Sequence, residues 1–224
     1  MKSNTRNKRM TSDMPEHRKA ANPVYRDKWK RILDIAICAP AFVVAIIPMG
    51  LTALAVKLDS PGPALFRQKR LGLGGKEFEM LKFRSMRVGA EFSGSGVYSN
   101  AGDSRVTRVG RIIRATSLDE LPQLINILRG DMSLIGPRPP LTYHPWPIEE
   151  YTKEQRRMFD VRPGITGWAQ THGRKDVEWH HRIELNVWYV DHVTFGLDLT
   201  IFFATIFKVL TNADNENKGA TLVK

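Results

Sequence analysis

Residues 35–56 read IAICAPAFVVAIIPMGLTALAV, twenty-two positions without a charge. At 1.5 Å per residue a straight helix over them reaches roughly 33 Å, enough to cross a hydrocarbon core of about 30 Å. Two features compete with a simple span. Pro40 and Pro48 fall inside the run, and an interior proline loses a backbone hydrogen bond and kinks a helix. Both flanks are basic, with Lys28, Lys30 and Arg31 before and Lys57, Arg67, Lys69 and Arg70 after, whereas positive charge collects on the cytoplasmic side of a membrane. A helix that dips in, bends at Pro48 and returns keeps both flanks on that side. The residues leave the spanning and re-entrant forms evenly open. Ala53-Leu54-Ala55 resembles a signal cleavage site, but the basic region and the apolar run are both too long for a signal peptide.

The segment before this run is polar and basic. Over residues 1–31 ten Lys and Arg face three acidic residues. Up to about Asn22 there is almost nothing apolar to bury, which predicts disorder. Next to a membrane segment such a tail is expected to hold anionic lipid, at roughly 1 kcal/mol per basic residue near the surface. The whole chain of 224 residues carries a formal charge of +11. That points to an anionic partner: nucleic acid, acidic lipid or a phosphorylated small molecule. The length suits one domain with room for a small extra one. A single cysteine, Cys38, excludes an intramolecular disulfide and a cysteine-rich zinc site; its apolar surroundings predict a small buried side chain.

Asp59-Ser60-Pro61-Gly62, followed by Pro63, is a turn. The runs Ala64–Arg70 and Phe78–Met86 alternate in part around Leu71-Gly72-Leu73-Gly74-Gly75-Lys76, which predicts a β-hairpin with a glycine-rich turn. A phosphate loop is rejected, because Glu77 follows Gly75-Lys76 where Ser or Thr is required. Lys82 and Arg84 lie two apart and share a strand face, as a solvated cationic edge or as a phosphate clamp. Residues 87–103, rich in Gly and Ser, predict a flexible loop or lid. Within Arg105–Arg114, Val109, Ile112 and Ile113 fit one helix face.

Thr116-Ser117-Leu118-Asp119-Glu120-Leu121-Pro122-Gln123-Leu124 places two adjacent carboxylates where a loop enters an amphipathic helix. Arg108, Arg111 and Arg114 precede them; Arg129 and Arg138 follow. Amid that positive charge the pair is expected to stay ionised, and the cations can hold a phosphate. Ser117-x-x-Glu120 matches a capping box, but it would put Pro122 five residues into the helix. Asp119 as the cap brings Pro122 into the first turn, where it is tolerated. Either assignment sets Asp119 at a helix N-terminus, whose dipole favours the charged form. Leu121, Leu124, Ile125 and Leu128 make the apolar stripe, and Gly130 closes the helix. By motif alone a cap outranks a catalytic acid; the arginines tilt the reading towards chemistry.

Residues 131–140 form a rigid, proline-rich loop that presents Arg138. Trp179, Ile183, Val187 and Val190 recur at helical spacing, with Trp188 and Tyr189 beside them; they suit core packing and also an interfacial belt. Phe195–Leu210 is apolar except for Asp198 and Lys208. At roughly 24 Å it is too short to span comfortably, so an interfacial or packed helix is expected. His180 and His181 lack the spacing of helical zinc pairs and are expected at the surface.

Four motifs occur in order: Lys82-Phe83-Arg84-Ser85-Met86, Ser117-Leu118-Asp119-Glu120-Leu121-Pro122-Gln123, Gly136-Pro137-Arg138-Pro139 and Arg162-Pro163-Gly164-Ile165-Thr166-Gly167-Trp168-Ala169-Gln170. In these the chain resembles a bacterial sugar transferase of the monotopic phosphoglycosyl transferase family, over about Lys30 to Leu210. The resemblance implies transfer of a phospho-sugar from a UDP-sugar to a polyprenol phosphate, usually undecaprenyl phosphate, at the cytoplasmic face of the inner membrane. UMP leaves, and a polyprenol diphosphosugar begins a surface glycan. The family's aspartate–glutamate pair falls on Asp119 and Glu120. The aspartate is implied as the nucleophile of a covalent intermediate and Mg²⁺ as the cofactor, held by Asp119 and Glu120. Lys82, Arg114 and Arg138 match phosphate-binding positions; Arg84, Arg162 and Arg174 join them as further candidate phosphate-binding residues. The resemblance also favours a re-entrant helix, although the family often has Ser-Pro at the bend and here Ile47-Pro48 stands there. A carboxylate can attack phosphorus, and phosphoryl transfer asks mainly for positioning and charge stabilisation, which Mg²⁺ can supply.

The fold class expected is therefore α+β and mainly helical, with a re-entrant membrane helix, amphipathic interfacial helices and a small β-hairpin. The expected segments are a basic disordered tail over 1–27, the membrane helix over 28–57, a catalytic domain over 58–210 and a polar tail over 211–224. A second reading, from another class, is a non-catalytic membrane-tethered protein that binds nucleic acid or acidic lipid through its charge. Acids mixed among the arginines, and no nucleic-acid motif, count against it. The expected partners are a UDP-sugar, undecaprenyl phosphate and inner-membrane anionic lipids, with no nucleic acid; a homodimer is compatible with the sequence.

Overall fold

A computed structural model describes residues 21–94, 96, 102–172 and 178–211. The tails over residues 1–20 and 212–224, and the candidate Arg174, lie outside the described residues. In chain order the elements are α1 (Lys30–Asp59), β1 (Leu65–Leu71), β2 (Glu77–Phe83), α2 (Arg108–Ala115), α3 (Gln123–Arg129), β3 (Ser133–Ile135), α4 (Lys153–Arg156), β4 (Gly164–Thr166), α5 (Trp168–His172), α6 (Trp179–Asp191) and α7 (Phe195–Thr211). The class is α+β and mostly helical, as expected.

A π-type turn, Tyr25–Trp29, leads into α1, which stays helical through both Pro40 and Pro48. The helix is continuous through the position of the expected bend. The proline leaves the Val44 carbonyl without its usual donor, on a side where Val44 is 77% exposed. Lys30, Asp34, Cys38, Ala45, Thr52 and Val56 are buried, with Phe42 and Met49 half-buried between them. Steps of three and four residues make this one stripe along the whole helix. Val43, Val44, Ile47, Leu51, Leu54 and Leu58 are exposed on other sides. Apolar residues thus lie all round, and the run shows no polar face from which its packing can be read.

Polar ties fix both ends of α1. Lys30 Nζ stands 2.5 Å from Asp198 Oδ2, and the Leu134 N–H donates to Asp34 Oδ1 at 3.0 Å. Arg31 donates to the Ile127 and Leu128 carbonyls at 2.6 and 3.1 Å. At the other end the Val109 N–H donates to Asp59 Oδ2 at 3.0 Å.

β1 and β2 form the predicted hairpin, antiparallel, with Leu65 opposite Phe83 and Leu71 opposite Glu77. Alternation puts Phe66, Gln68 and Arg70 on one face with Lys82, Met80 and Phe78. Asn126 of α3 stitches to this hairpin: its Oδ1 accepts the Leu81 N–H at 2.9 Å, and its Nδ2 donates to the Glu79 carbonyl at 2.7 Å. Burial of α3 reaches beyond the expected stripe, since Asn126 and Ile127 are fully buried too. Gly130, at φ 96°, closes α3 as predicted.

The short strands β3 and β4 pair in parallel, Ser133 with Gly164 and Ile135 with Thr166. Here two of the sequence motifs clasp each other, and a Cβ on Gly164 would meet the Gly136 nitrogen at 2.1 Å. α6 belongs to the core rather than to a belt, with Ile183, Leu185, Val187, Tyr189 and Val190 buried. His181, expected at the surface, is buried as well, its Nδ1 3.2 Å from Glu184 Oε2. It lies one helical turn from Leu185 and two from Tyr189, on the inward side. α7 buries Leu197, Asp198 and Ile201 and exposes Phe195, Leu199, Phe203 and Phe207. It is packed on one side and leaves apolar side chains exposed on the other.

Candidate active site

The two carboxylates stand between α2 and α3. α2 starts at Arg108 because Thr107 caps it, Oγ1 accepting the Gly110 N–H at 2.9 Å. Arg105, expected inside that helix, instead folds back: its Nη1 donates to the carbonyls of Ala90, Ser93 and Gly96 at 2.7, 2.6 and 2.8 Å. That organises the described part of the loop expected to be flexible. Ile112 is exposed while Ile113 is buried, so the expected helix face holds only in part. Gly110 lets α2 lie close to the end of β2, since a Cβ there would fall 1.9 Å from the Ser85 carbonyl oxygen.

The chain reverses at Ser117, at φ 57°, the one non-glycine residue with positive φ among the described residues. A residue with a Cβ visits this region at a cost. Leu118–Glu120 is a single 3₁₀ turn, and α3 begins only after Pro122. Neither cap assignment from the sequence holds. Ser117 is left-handed and its side chain makes no capping bond, while Asp119 lies in the turn before the helix. Pro122 occupies the position before the first helical residue, where its missing N–H leaves no helical bond unmade.

This turn gives the two carboxylates different surroundings. Glu120 Oε1 lies 2.7 Å from Lys82 Nζ. Burial raises its pKa, but Lys82, Arg138 and a hydrogen bond from Gln123 together hold it below the usual carboxylate range. Asp119 lines a cavity of about 360 Å³, together with Gln68, Lys82, Arg84, Arg114 and the loop residues Ser85–Glu91. Burial pushes the Asp119 pKa up to about 6; Lys82 pulls it down, Glu120 adds to the rise and Arg114 opposes it. Asp119 is thus still mostly ionised at neutral pH, as expected, but the arginines and helix dipole expected to favour that form do not dominate its surroundings. The residue is not at a helix end, and loss of water outweighs its cations.

Of the predicted cations, Lys82, Arg84 and Arg114 reach the cavity wall, and Arg138 acts on Glu120. The Arg84 guanidinium is already committed. It donates to the Pro63 carbonyl at 2.7 Å, to Ser60 Oγ at 2.7 Å and to the Ser60 carbonyl at 2.8 Å. It braces the end of α1 from the cavity wall. Arg162 is not brought to this cavity. Its Nε donates to the Gly130 carbonyl at 2.9 Å, and it borders a second cavity of about 230 Å³ with Arg26, Lys30, Arg31 and Asp34. Sequence reasoning missed Gln123 and Asn126, whose one signal is a polar side chain inside an apolar helix. Among the described residues no group of three or more His, Cys, Asp or Glu could hold a metal. One open carboxylate beside a second one tied to lysine fits Mg²⁺, which takes few protein ligands and completes its shell with phosphate and water.

The profile of bacterial sugar transferases matches residues 25–212. The chain belongs to the bacterial sugar transferase family. Relatives of this sugar transferase include EpsL of Bacillus subtilis, 42% identical over 183 residues that cover 82% of the chain and 88% of the relative. The UDP-glucose:undecaprenyl-phosphate glucose-1-phosphate transferase of Caulobacter vibrioides is 45% identical over 190 residues, 83% of the chain and 71% of the relative. The UDP-N-acetylgalactosamine-undecaprenyl-phosphate N-acetylgalactosaminephosphotransferase of Aeromonas hydrophila is 42% identical over 188 residues, 81% of the chain but only 44% of the relative. The sugar transferase thus spans most of the first two and under half of the third.

Proposed function

We propose that this sugar transferase moves a phospho-sugar from a UDP-sugar to undecaprenyl phosphate, the two substrates that the relatives' names carry. The observation that supports it most is the asymmetry of the dyad. Glu120 is pinned by Lys82 at 2.7 Å, while Asp119 lines the cavity with a pKa near 6. At neutral pH most Asp119 is ionised, yet it is desolvated enough to be a reactive anion.

In this reading an Asp119 carboxylate oxygen attacks the sugar-bearing phosphorus of the UDP-sugar. The bond from that phosphorus to the UMP oxygen breaks, and UMP leaves with the electron pair. An oxygen of the polyprenyl phosphate then attacks the same phosphorus and displaces the Asp119 carboxylate, forming the diphosphate. Lys82 and Arg114 stabilise charge on the phosphoryl oxygens, and Glu120 fixes Lys82. Asp119, with Glu120 beside it, would hold Mg²⁺, which when bound neutralises diphosphate charge.

The described helix Tyr25–Asp59 is long and apolar enough to cross a membrane. Its buried stripe nevertheless binds the domain over roughly 39 Å, from Lys30 to Val56. A span would carry the polar partners of that stripe, Asp198 on Lys30 and Arg84 on the Val56 carbonyl among them, into hydrocarbon. The proposal is therefore monotopic: the outward face of α1 sits in one leaflet of the inner membrane and both ends remain on the cytoplasmic side, where the basic tail meets anionic lipid.

The test is UMP release with membranes, polyprenyl phosphate and a panel of UDP-sugars, joined to mass spectrometry of enzyme given UDP-sugar and Mg²⁺ alone. A sugar-phosphate adduct on the Asp119 peptide is expected. An adduct on another residue, or turnover by Asp119→Asn, would defeat the mechanism.

A further inference from the structure

Gln68 stands on the hairpin face that also carries Phe66, Arg70 and Lys82. It pairs with Met80, and Phe66 pairs with Lys82, so Gln68 and Lys82 are diagonal neighbours across the two strands. Phe66, Gln68 and Lys82 all line the cavity of Asp119. The Gln68 amide is held at its oxygen. Oε1 accepts Arg70 Nη2 at 2.6 Å, and Arg70 is itself fixed, its Nη1 donating to the Pro139 carbonyl at 2.9 Å. A guanidinium only donates, so the amide oxygen has to be the atom that faces it. The Nε2 is therefore turned away from Arg70. Among the described residues no acceptor takes it, and it is open to solvent rather than sealed within the protein.

The charge of the cavity decides what that donor suits. Lys82 and Arg114 are cations of the same wall. Phosphate oxygens draw charged donors, whose hydrogen bonds are roughly twice as strong as neutral ones. A neutral amide N–H is matched by a neutral oxygen, a hydroxyl or a carbonyl. Of the two substrates proposed above, polyprenyl phosphate carries hydrocarbon and phosphate oxygens and no such group. A UDP-sugar carries both, hydroxyls on its sugar and ribose and carbonyls on its uracil. A donor fixed in direction discriminates, because a ligand without the matching oxygen takes it from water and leaves it unpaired.

We propose that Gln68 is a specificity-determining residue of the nucleotide-sugar site, its Nε2 donating to a neutral oxygen of that substrate while Arg70 and the Pro139 carbonyl hold the amide in aim. That the substrate is a UDP-sugar rests on the function proposed above. The oxygen belongs either to the transferred sugar or to the uridine, and the two sources are separated by the ligands used.

The experiment compares wild type with Gln68→Met, which is neutral and loses the amide, and with Gln68→Glu, which keeps an oxygen for Arg70 and loses the donor. Calorimetry gives Kd for UMP, UDP-glucose and the monodeoxy analogues of UDP-glucose; the turnover assay gives KM for polyprenyl phosphate. In both variants the Kd for UDP-glucose should rise about three- to tenfold, the worth of one hydrogen bond, with the polyprenyl phosphate KM changed less than twofold. An equal loss for UMP places the oxygen on the uridine. If UMP binding is unchanged, one deoxy analogue should bind wild type and Gln68→Met alike, because its oxygen is already gone. Wild-type binding of UDP-glucose by Gln68→Glu would overturn the proposal and leave Gln68 as a support for Arg70. A polyprenyl phosphate KM that rises as much as the Kd would also overturn it. If Gln68→Met melts well below wild type, Gln68→Glu decides alone. If wild type releases no UMP from any UDP-sugar, the proposed function fails, and the Kd comparison still decides for Gln68 if the variants bind UDP-glucose more weakly and against it if they do not. A wild type that binds neither UMP nor UDP-glucose would refute both.

Discussion

Replacing Asp119 by Asn is expected to abolish turnover and, at neutral pH, to make the protein more stable. In the folded chain the Asp119 pKa stands at about 6, against an ordinary 3.8. A group whose folded pKa is raised binds its proton more tightly in the folded state. Its stabilising contribution is complete below about pH 4, declines as pH rises towards 6, and is lost above that. From there on the fold carries the cost of a desolvated carboxylate. About two pKa units correspond to about 3 kcal/mol. Asn is a neutral isostere that does not titrate, so it is free of that cost. The two proteins should be nearly equally stable at pH 4. Asp119→Asn should gain up to about 3 kcal/mol by pH 7.5, each kcal/mol being worth roughly 2–4 °C in a domain of this size.

The assay is thermal or chemical unfolding of both proteins in the same detergent or nanodisc, from pH 4 to pH 8. Adduct formation by wild type, followed in parallel, should rise through about pH 6 as Asp119 loses its proton, which is the opposite sense to stability. An Asp119→Asn protein less stable than wild type at pH 7.5, or an offset that does not grow with pH, would refute the reasoning. It would show that Asp119 is held ionised by favourable partners and not left desolvated for attack.

Lys82→Met should raise the pKa values of both carboxylates, because Lys82 lowers each; the acid limb of the pH–rate profile for adduct formation should move to higher pH. Gly110→Ala would place a Cβ 1.9 Å from the Ser85 carbonyl oxygen, so α2 must shift and Arg114 with it. A loss of about 1–3 kcal/mol by denaturant unfolding and a rate drop of tenfold or more are expected. Asp198→Ala removes the acceptor of Lys30, Tyr25 and Tyr189 and leaves a buried ammonium, for a loss of about 3–5 kcal/mol in the same measurement. Peptide tags at the two ends of the chain should both be reached by protease from the cytoplasmic side only, and a periplasmic N-terminus would exclude the monotopic arrangement.

The hairpin, the closing Gly130 and the burial of Cys38 were legible because each depends on local chemistry: a glycine-rich turn, a left-handed cap, an apolar neighbourhood. The packing of α1 was not. Its outer positions are as apolar as its inner ones, so the stripe from Asp34 to Val56 is invisible until its partners are placed. The turn at Ser117 was misread for a related reason. Ser-x-x-Glu fits a cap, but whether Ser117 is extended or left-handed depends on how α2 and α3 pack. Asp198 looked like a blemish in an apolar run and proves to be the anchor of Lys30, Tyr25 and Tyr189. Lys82 and Arg114 reach the Asp119 cavity, whereas Arg162, although inside a motif, is held at the Gly130 carbonyl. A sequence shows an arginine's charge but not the carbonyls that already occupy it.

The ties of α1 join membrane attachment to the chemistry. Cys38, Ala45 and Met49 pack in one cluster with Leu124, Ile127 and Met132; Val56 packs with Phe83, Ile113, Leu118 and Leu121. Each helix flanking the dyad also has one end closed by α1. Arg31 takes carbonyls at the C-terminal end of α3, and Asp59 takes an N–H at the start of α2, groups that a helix end otherwise leaves without partners. The helix proposed to meet lipid with its outer face is therefore a wall of the same core that seats Asp119 and Glu120. For a reaction whose acceptor phosphate sits at the bilayer surface, that shared core is what positions the nucleophile: an error of about 1 Å in the seating of a reacting group can lower a rate on the order of a hundredfold. On this argument α1 does more than keep the enzyme at the membrane. In the proposed monotopic arrangement it would set the height of the carboxylate above the lipid plane.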